Sequence, residues 1–277
     1  MSHRTRLALA SVALVVPGLV GAQAMTAPAP ILAVGRETVK PGKGIAHAKW
    51  EAAWSRALEA AKLSGSIVAL SAVDGPNEVW FVSPYASLAD MQKLSETNDA
   101  NPAIAAVTEK YLPAESDFIQ DGRSMILTYR PDLSYPTARP ITDMRFVTVQ
   151  RILVRAGHMA EFVEARTAAK EAHEKAKMPD SFAIYSANGA PSGTFYVLAA
   201  RKSLTELDDN PKIHQDSAYT AALGADWTKR SAALVAAYEQ SSDVSIFAVS
   251  PSMSVVPKEW YDADAFWKPK APVKKVP

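Results

Sequence analysis

The sequence predicts an α+β fold made of two tandem copies of one β-α-β-β-α-β unit. Three observations support this prediction: an internal repeat, the same order of helix-like and strand-like patterns in both copies, and ample apolar content. Of the 277 residues, 48% are hydrophobic and 21% are charged. These proportions are typical of a globular chain and exclude a wholly disordered one.

The internal repeat becomes visible when residues 34–82 are aligned with residues 149–197. Without any gap, 14 of the 49 aligned positions are identical. The identical pairs include turn and strand positions as well as alanine-rich helix positions: Arg36/Arg151, Gly42/Gly157, Ser71/Ser186 and Pro76/Pro191. Because the turn and strand matches do not reflect alanine bias, we interpret the repeat as a duplication.

Each copy begins with a strand, a glycine turn and a long helix. The strands are the apolar runs 31–39 and 146–154, and the helices extend to about Leu63 and from about Gly157 to Met178. Two strands then follow in each copy. They lie at 66–73 and 78–83 in the first copy and at 181–187 and 194–200 in the second. The turns between them are rich in Gly, Asn and Pro, which is typical of hairpins.

The second part of each copy is helical and ends with one more strand. Ser87 and Ser203 are candidate N-caps for the helical segments. The closing strands are predicted at 124–129 and 244–249. The resulting order is that of a ferredoxin-like unit, an antiparallel sheet with helices on one face. We expect the two uncovered faces to pack sheet to sheet as an α+β barrel.

Two such units in tandem resemble the dimeric α+β barrel superfamily, fused into a single-chain pseudo-dimer. The resemblance covers about residues 31–254 and rests on topology and duplication, since no family motif is present. That superfamily includes cofactor-free monooxygenases, haem-degrading and haem-binding proteins, lactone isomerases and NIPSNAP-like proteins. The resemblance therefore implies small-molecule chemistry without naming a substrate.

The predicted organisation has five segments. They are a signal peptide (1–24), a linker (25–30), a first ferredoxin-like repeat (31–134), a second one (144–254), and a C-terminal aromatic strap with a Lys/Pro tail (255–277). The leader has a basic start, an apolar run of about ten residues and a small-x-small cleavage site, whereas a membrane span needs about 20. We therefore expect an exported protein, periplasmic or extracellular, without a membrane span after cleavage.

The aromatic residues before the tail have two interpretations. Trp260, Tyr261, Phe266 and Trp267 either pack onto the domain as a strap or dock another protein, and the strap is favoured because exposed aromatics are costly. Binding of a protein partner by the tail is retained as the alternative interpretation. With 30 Lys+Arg against 29 Asp+Glu, nothing indicates nucleic acid.

The candidate catalytic residues are His47 and His173, which lie on the first helix of each copy. Imidazole can serve as acid, base or metal ligand near neutral pH. Each histidine replaces an apolar residue of the other copy, Phe162 or Leu58, although a structural histidine is the plainer interpretation. Glu51 and Arg166 hold matched positions and are candidate ligand-binding residues.

The inner stripe of the first helix is predicted to consist of alanines with two tryptophans. Its members are Ala46, Trp50, Ala53, Trp54, Ala57 and Ala61. Trp50 and Trp54 would hold the helix off the sheet and are candidate ligand-binding residues as well. Arg36 and Arg151 occupy one place in both first strands, which favours a role at the interface between the copies over binding of an acidic ligand.

Metal and cofactor motifs are missing from the linear sequence. There is no cysteine, no His-x₃-His pair and no phosphate loop, so we predict no metal and no cofactor. The leading functional hypothesis is an exported protein that binds a small apolar molecule, or a cofactor-free enzyme, with an apolar pocket between helix and sheet. The alternatives are a non-catalytic envelope or secreted scaffold and, third, a haem-binding protein using His47 or His173.

Overall fold

The computed structural model describes residues 28–135, 140–209, 212 and 215–268. The predicted signal peptide, the first half of the linker (25–27) and all of the Lys/Pro tail after Lys268 lie outside these residues. In the described chain, no helix has the length and apolar character needed to cross a membrane.

Eight antiparallel strands form one closed barrel in this part of the chain. The first half supplies β1 (Ile31–Val39), β2 (Val68–Ala72), β3 (Glu78–Tyr85) and β4 (Ile119–Tyr129). The second half supplies β5 (Phe146–Val154), β6 (Ala183–Asn188), β7 (Thr194–Arg201) and β8 (Glu239–Val249). Around the ring the order is β1-β3-β2-β8-β5-β7-β6-β4.

The helices pack against the outer face of the barrel. The first half carries α1 (Gly44–Ala60), α2 (Leu88–Asp99) and α3 (Pro102–Glu115). The second half carries α4 (Met159–Ala176), α5 (Thr205–Asp208), α6 (Ser217–Leu223) and α7 (Trp227–Tyr238), and α8 (Lys258–Ala263) follows the last strand. The predicted cap at Ser87 is confirmed, because its hydroxyl accepts a hydrogen bond from the Asp90 amide.

The strand positions predicted from the sequence are confirmed within a few residues. The largest difference is at β4 and β8, which each begin five residues earlier than predicted, at Ile119 and Glu239. The two halves also share a register irregularity at equivalent places, between Thr38 and Val39 in β1 and between Leu153 and Val154 in β5.

The prediction of two ferredoxin-like units packed sheet to sheet is wrong. The halves meet edge to edge instead, since β2 pairs with β8 and β4 pairs with β6, for example at Leu70–Val249 and Tyr129–Tyr185. Free sheet edges would leave backbone N–H and C=O groups unpaired, and closing the ring satisfies them. Period-two alternation shows which face of a strand is buried, but it does not show what pairs with the edge.

The inner face of α1 also differs from the predicted alanine stripe. The buried positions of this helix are His47, Glu51, Ala52, Ser55 and Leu58, whereas Ala46 is exposed. Alanine is common in helices because of its high propensity, wherever it points. The structure therefore places these five residues, three of them polar, against the sheet instead of the predicted stripe.

The turn between β6 and β7 approaches the neighbouring strand β4 very closely. Gly189 in this turn has φ +85°, and a Cβ built on it would lie 2.9 Å from the carbonyl oxygen of Ser124. A residue without a side chain is therefore required at this contact between the two halves.

Candidate functional site

The barrel encloses an apolar cavity of about 200 Å³. Strands β1 to β7 line it with inward-facing side chains, among them Leu70, Trp80, Leu127, Val149, Tyr185 and Leu198. Small residues such as Ala183 and Ala200 stand between the large ones, which leaves space that the aromatic rings do not fill. The cavity lies on the face of the sheet opposite α1 and α4, and so it is not the helix–sheet pocket expected from the sequence.

The C-terminal segment and the chain before β1 cover one end of this cavity. Trp260 on α8 lines the cavity together with Ala29 and Met144. The hydroxyl of Tyr185 donates a hydrogen bond to the carbonyl oxygen of Ala29 at 3.1 Å. Next to α8, the Trp267 indole donates one to the Thr142 carbonyl oxygen at 2.9 Å. The described aromatic residues of the tail thus pack on the barrel.

The opposite end of the barrel interior is polar. The Arg36 guanidinium lies 2.9 Å from both carboxylate oxygens of Glu78 and 4.9 Å from the centre of the Trp80 ring. Arg151 in the second half lies 3.3 Å from Asp243. Each arginine therefore forms an ion pair within its own half. The interface role proposed for them from the sequence stays a prediction.

A buried group of carboxyl and imidazole side chains lies on the outer face, beneath α1. The His47 Nε2 atom is 2.8 Å from Glu37 Oε2 and 3.7 Å from Glu51 Oε1. His47 is 1% exposed and Glu51 is 4% exposed. Alternation along β1 points Glu37 away from the cavity, and the four-residue spacing on α1 puts His47 and Glu51 one turn apart on the facing side. We call Glu37, His47 and Glu51 the α1 cluster.

The electrostatics of the α1 cluster are dominated by excess carboxyl groups. Glu115, at the end of α3, shares a hydrogen bond with Glu37. Burial, followed by the charges of Glu37 and Glu115, raises the pKa of Glu51 to about 9. Glu51 therefore keeps its proton at neutral pH unless a cation compensates its charge.

Aromatic side chains surround the α1 cluster. The Trp50 and Phe118 rings lie 6.5 and 6.4 Å from the His47 ring, and 5.5 Å from each other. Trp54 and Tyr111 extend this wall, with stacked rings 6.3 Å apart. Rings in these positions exclude water and so strengthen the electrostatic interactions of the groups that they enclose.

The equivalent place in the second half is apolar. At the repeat offset, Glu37, His47 and Glu51 correspond to Ile152, Phe162 and Arg166. Ile152 and Phe162 belong to a buried apolar group under α4, and the Arg166 guanidinium lies 5.7 Å from the Phe162 ring centre. The α1 cluster therefore has no counterpart at the matched positions of the second half.

His173 occupies a separate environment near the C-terminal end of α4. Its Nδ1 atom is 2.6 Å from the Ala169 carbonyl oxygen, and its Nε2 atom is 3.3 Å from Asp180 Oδ2. The rings of Tyr135, Phe182 and Tyr219 lie 4.8 to 5.3 Å from the imidazole. Both ring nitrogens are thus engaged, as expected for a structural histidine.

Asp180→Asn should destabilise the protein at neutral pH by about 1.5–3 kcal/mol, the usual contribution of a hydrogen bond to a charged group. Burial opposes ionisation, but the hydrogen bond and charge of His173 hold the pKa of Asp180 below its usual value. The contribution is therefore complete above the unfolded-state pKa and disappears as the pH falls through the lower folded-state pKa.

Urea denaturation of wild type and variant at several pH values measures this difference. Asp243→Asn is the control, because Asp243 is 61% exposed in its pair with Arg151 and an exposed pair contributes about 0–1 kcal/mol. The role assigned to this carboxylate would be contradicted if the difference in unfolding free energy between the wild type and Asp180→Asn stayed constant down to strongly acidic pH.

The structure brings together only some of the residues singled out from the sequence. His47, Glu51, Trp50 and Trp54 lie together at the α1 cluster, whereas Arg166 and His173 lie on α4, two turns apart. None of these six residues lines the barrel cavity. Sequence reasoning missed Glu37, Glu115 and Asp180. Alternation along β1 was the one signal for Glu37, since it places this carboxylate on the helix side of the strand.

Comparison with known proteins shows similarity in fold only. No protein-family model matches the chain, and no curated protein matches it. A candidate monooxygenase from Fusobacterium nucleatum is 11% identical, covers 80% of this chain and 93% of its own, and gives a TM-score of 0.52. An anthrone oxidase-like protein is 16% identical, with coverages of 81% and 93% and a TM-score of 0.51.

A mutant chlorite dismutase from Candidatus Nitrospira defluvii is less similar in structure to this chain. It is 12% identical over 83% of this chain and 94% of its own, with a TM-score of 0.47. At 11% and 16% identity, the two structures with TM-scores above 0.5 show likeness in fold alone. Activity does not follow from it.

The two predicted haem ligands do not fit a haem in this structure. His173 uses both ring nitrogens, and His47 is enclosed by Glu37, Glu51 and an aromatic wall. A haem-ligating histidine must face the flat porphyrin ring, and the groups that surround His47 and His173 stand where such a ring would lie.

Proposed function

We propose that this protein binds a small apolar molecule inside its barrel. The observation that supports the proposal is the cavity of about 200 Å³, which has an almost entirely apolar lining. A dry apolar cavity of about 150 Å³ is large enough to bind benzene. The expected ligand is therefore a compact apolar molecule, such as a single aromatic ring or a short branched aliphatic chain.

The lining supports this class of ligand over a charged one. Trp80 and Tyr185 offer aromatic surfaces, and the Tyr185 hydroxyl is already engaged with Ala29. The arginines of the polar end are paired with Glu78 and Asp243. No Lys or Arg of the described residues lines the cavity. A carboxylate or phosphate there would give up its hydration without a compensating charge from these residues, which is costly.

Several further interpretations are proposed on narrower grounds. The shared register irregularity of β1 and β5 supports an origin of the two halves by duplication into a single-chain pseudo-dimer. The proposal that the protein is exported is based on the leader sequence. The proposal of a protein partner at the Lys/Pro tail is based on the composition of that tail. Catalysis by His47 or His173 stays a prediction, because neither side chain reaches the cavity in which we place the ligand.

The test is binding of benzene, toluene and indole to the full protein, measured by calorimetry. For benzene and toluene, the intrinsic tryptophan fluorescence, to which the cavity-lining Trp80 and Trp260 contribute, is a second measurement. Val82→Phe would place a ring in the cavity, because Val82 lines it. Val244→Phe is the matched control, since Val244 lies on β8 and is 57% exposed.

We expect saturable binding by the wild type and by Val244→Phe, with a rise in the melting temperature. We expect Val82→Phe to lose affinity by about tenfold or more, equivalent to about 1.4 kcal/mol. Two results would overturn the proposal: no saturable binding of any probe to the wild type, or equal affinity in the two phenylalanine variants.

A further inference from the structure

We propose that Glu37, His47 and Glu51 form a binding site for one divalent first-row transition-metal ion, such as Zn²⁺, Mn²⁺ or Fe²⁺. The site lies on the outer face of β1, away from the barrel cavity, and is independent of the ligand proposed above. Glu115 is placed to supply a further oxygen, because it contacts Glu37.

The first argument is geometric. One imidazole nitrogen and two carboxylate oxygens, one from each residue, lie within 4.8 Å of one another. Metal–ligand bonds of about 2.1 Å in a tetrahedral site place neighbouring ligand atoms about 3.4 Å apart. The distances from His47 Nε2 to Glu37 and Glu51, 2.8 and 3.7 Å, bracket this value. Side-chain rotations that shorten the separation of the two carboxylate oxygens from at most 4.8 Å would bring the three atoms around one ion.

The second argument is an unpaired buried atom. Glu51 is 4% exposed, and its Oε1 atom has no hydrogen-bond partner although it points towards His47 Nε2 at 3.7 Å. Buried polar atoms are nearly always satisfied, so such an atom calls for an explanation. A metal ion between Glu51 and His47 provides one.

The third argument is charge. Three carboxyl groups, from Glu37, Glu51 and Glu115, meet one imidazole, and no Lys or Arg in the described chain forms an ion pair with any of them. Buried carboxylates are normally paired or coordinate a metal. A divalent cation would balance the two carboxylates that are buried beside His47.

The donor set determines the class of ion. Two carboxylates with one imidazole suit Zn²⁺, Mn²⁺ and Fe²⁺, whereas Mg²⁺ and Ca²⁺ prefer oxygen ligands alone. The aromatic wall of Trp50 and Phe118 shields the site on one side. The Glu37 side chain is 12% exposed, and Glu115 is half-buried, so the carboxylate side provides the route from solvent.

The test is metal binding to the full protein after treatment with a chelator. Titration with Zn²⁺ and Mn²⁺ should give one ion per chain, because the second half has Ile152, Phe162 and Arg166 at the matched positions. Co²⁺ should give visible absorption bands that report its ligand geometry. Mg²⁺ and Ca²⁺ should bind far more weakly.

Two variants remove ligands, and a third is the control. Glu51→Gln keeps the shape of the side chain, and His47→Phe introduces the residue of the second half. Each should weaken Zn²⁺ binding by about 100-fold, since even the loss of a group that merely orients a ligand costs 10–100-fold. His158→Asn is the control, because His158 forms a partly exposed pair with Glu161 and should leave the affinity unchanged.

The proposal would be overturned by a wild type that binds no ion or only several weak ones. It would also be overturned if Glu51→Gln bound Zn²⁺ as tightly as the wild type, or if His158→Asn weakened binding as much as the ligand variants. Circular dichroism and melting curves without metal identify a variant that has failed to fold. Glu51→Gln is the variant that we expect to fold, because glutamine is neutral and has the same size as glutamate. Failure of the barrel to bind benzene would leave all these expectations unchanged.

Discussion

Trp267→Ala should lower the free energy of unfolding by about 3–5 kcal/mol, the range found for large-to-small changes of buried aromatic residues. Trp267 is 1% exposed. Its ring packs edge to face against Trp260 and Phe266, with centroids 4.8 and 5.4 Å apart. The variant also leaves the Thr142 carbonyl oxygen without its indole donor. The loss should extend beyond one side chain, because Trp267 holds α8 over the cavity.

Guanidinium chloride denaturation of the wild type, Trp267→Ala and Trp227→Ala measures this effect. Trp227 makes the fair comparison, since it is a partly buried tryptophan packed at the edge of the apolar group under α4. We expect a clearly smaller loss for Trp227→Ala. A loss for Trp267→Ala that is no larger than the loss for Trp227→Ala would contradict the role assigned to Trp267.

Gly189→Ala should destabilise the protein by about 2–5 kcal/mol, the sum of a left-handed backbone penalty of about 1–2 kcal/mol and an overpacking penalty of about 1–3 kcal/mol. The Cβ would lie 2.9 Å from the Ser124 carbonyl oxygen and 3.3 Å from the Met125 Cα. Both neighbours are backbone atoms of β4, which cannot move aside without disturbing its pairing with β6.

Gly157→Ala separates the two penalties. Gly157 has a similar φ of +86°, but nothing lies within 4 Å of the position its Cβ would take. Its replacement should therefore cost only the backbone penalty, about 1–2 kcal/mol. Thermal or chemical denaturation that ranks Gly157→Ala as equal to or worse than Gly189→Ala would contradict the close contact between the halves.

Local pattern was sufficient to predict most elements of this fold. Strand β1 and its equivalent β5 follow from alternation and β-branched residues, and α1 follows from its glycine turn and helix-forming residues. The closure of the barrel did not follow, because it depends on pairing between remote strands. Nothing in the residues around Leu70 indicates that Val249 is their partner.

The candidate sites likewise divide into residues that a local pattern identifies and residues that only tertiary packing brings together. His47 and Glu51 could be found from their own helix, since four residues separate them on one face. Glu115 belongs to a different helix and reaches Glu37 only through tertiary packing. The cavity could not be predicted from the sequence. Its volume is the difference between the space inside the ring and the volume of the side chains that seven strands direct into it.

The closed ring has a consequence for how this chain resists aggregation. Every described strand has a neighbour on both sides, so the native barrel presents no free edge to which another molecule could add a strand. An isolated first half would regain two such edges, at β2 and β4, and an isolated second half would regain them at β6 and β8. Aggregation through strand addition should therefore require the ring to open first. In a chain without cysteine, that protection comes from the backbone pairing of the two halves and not from covalent cross-links.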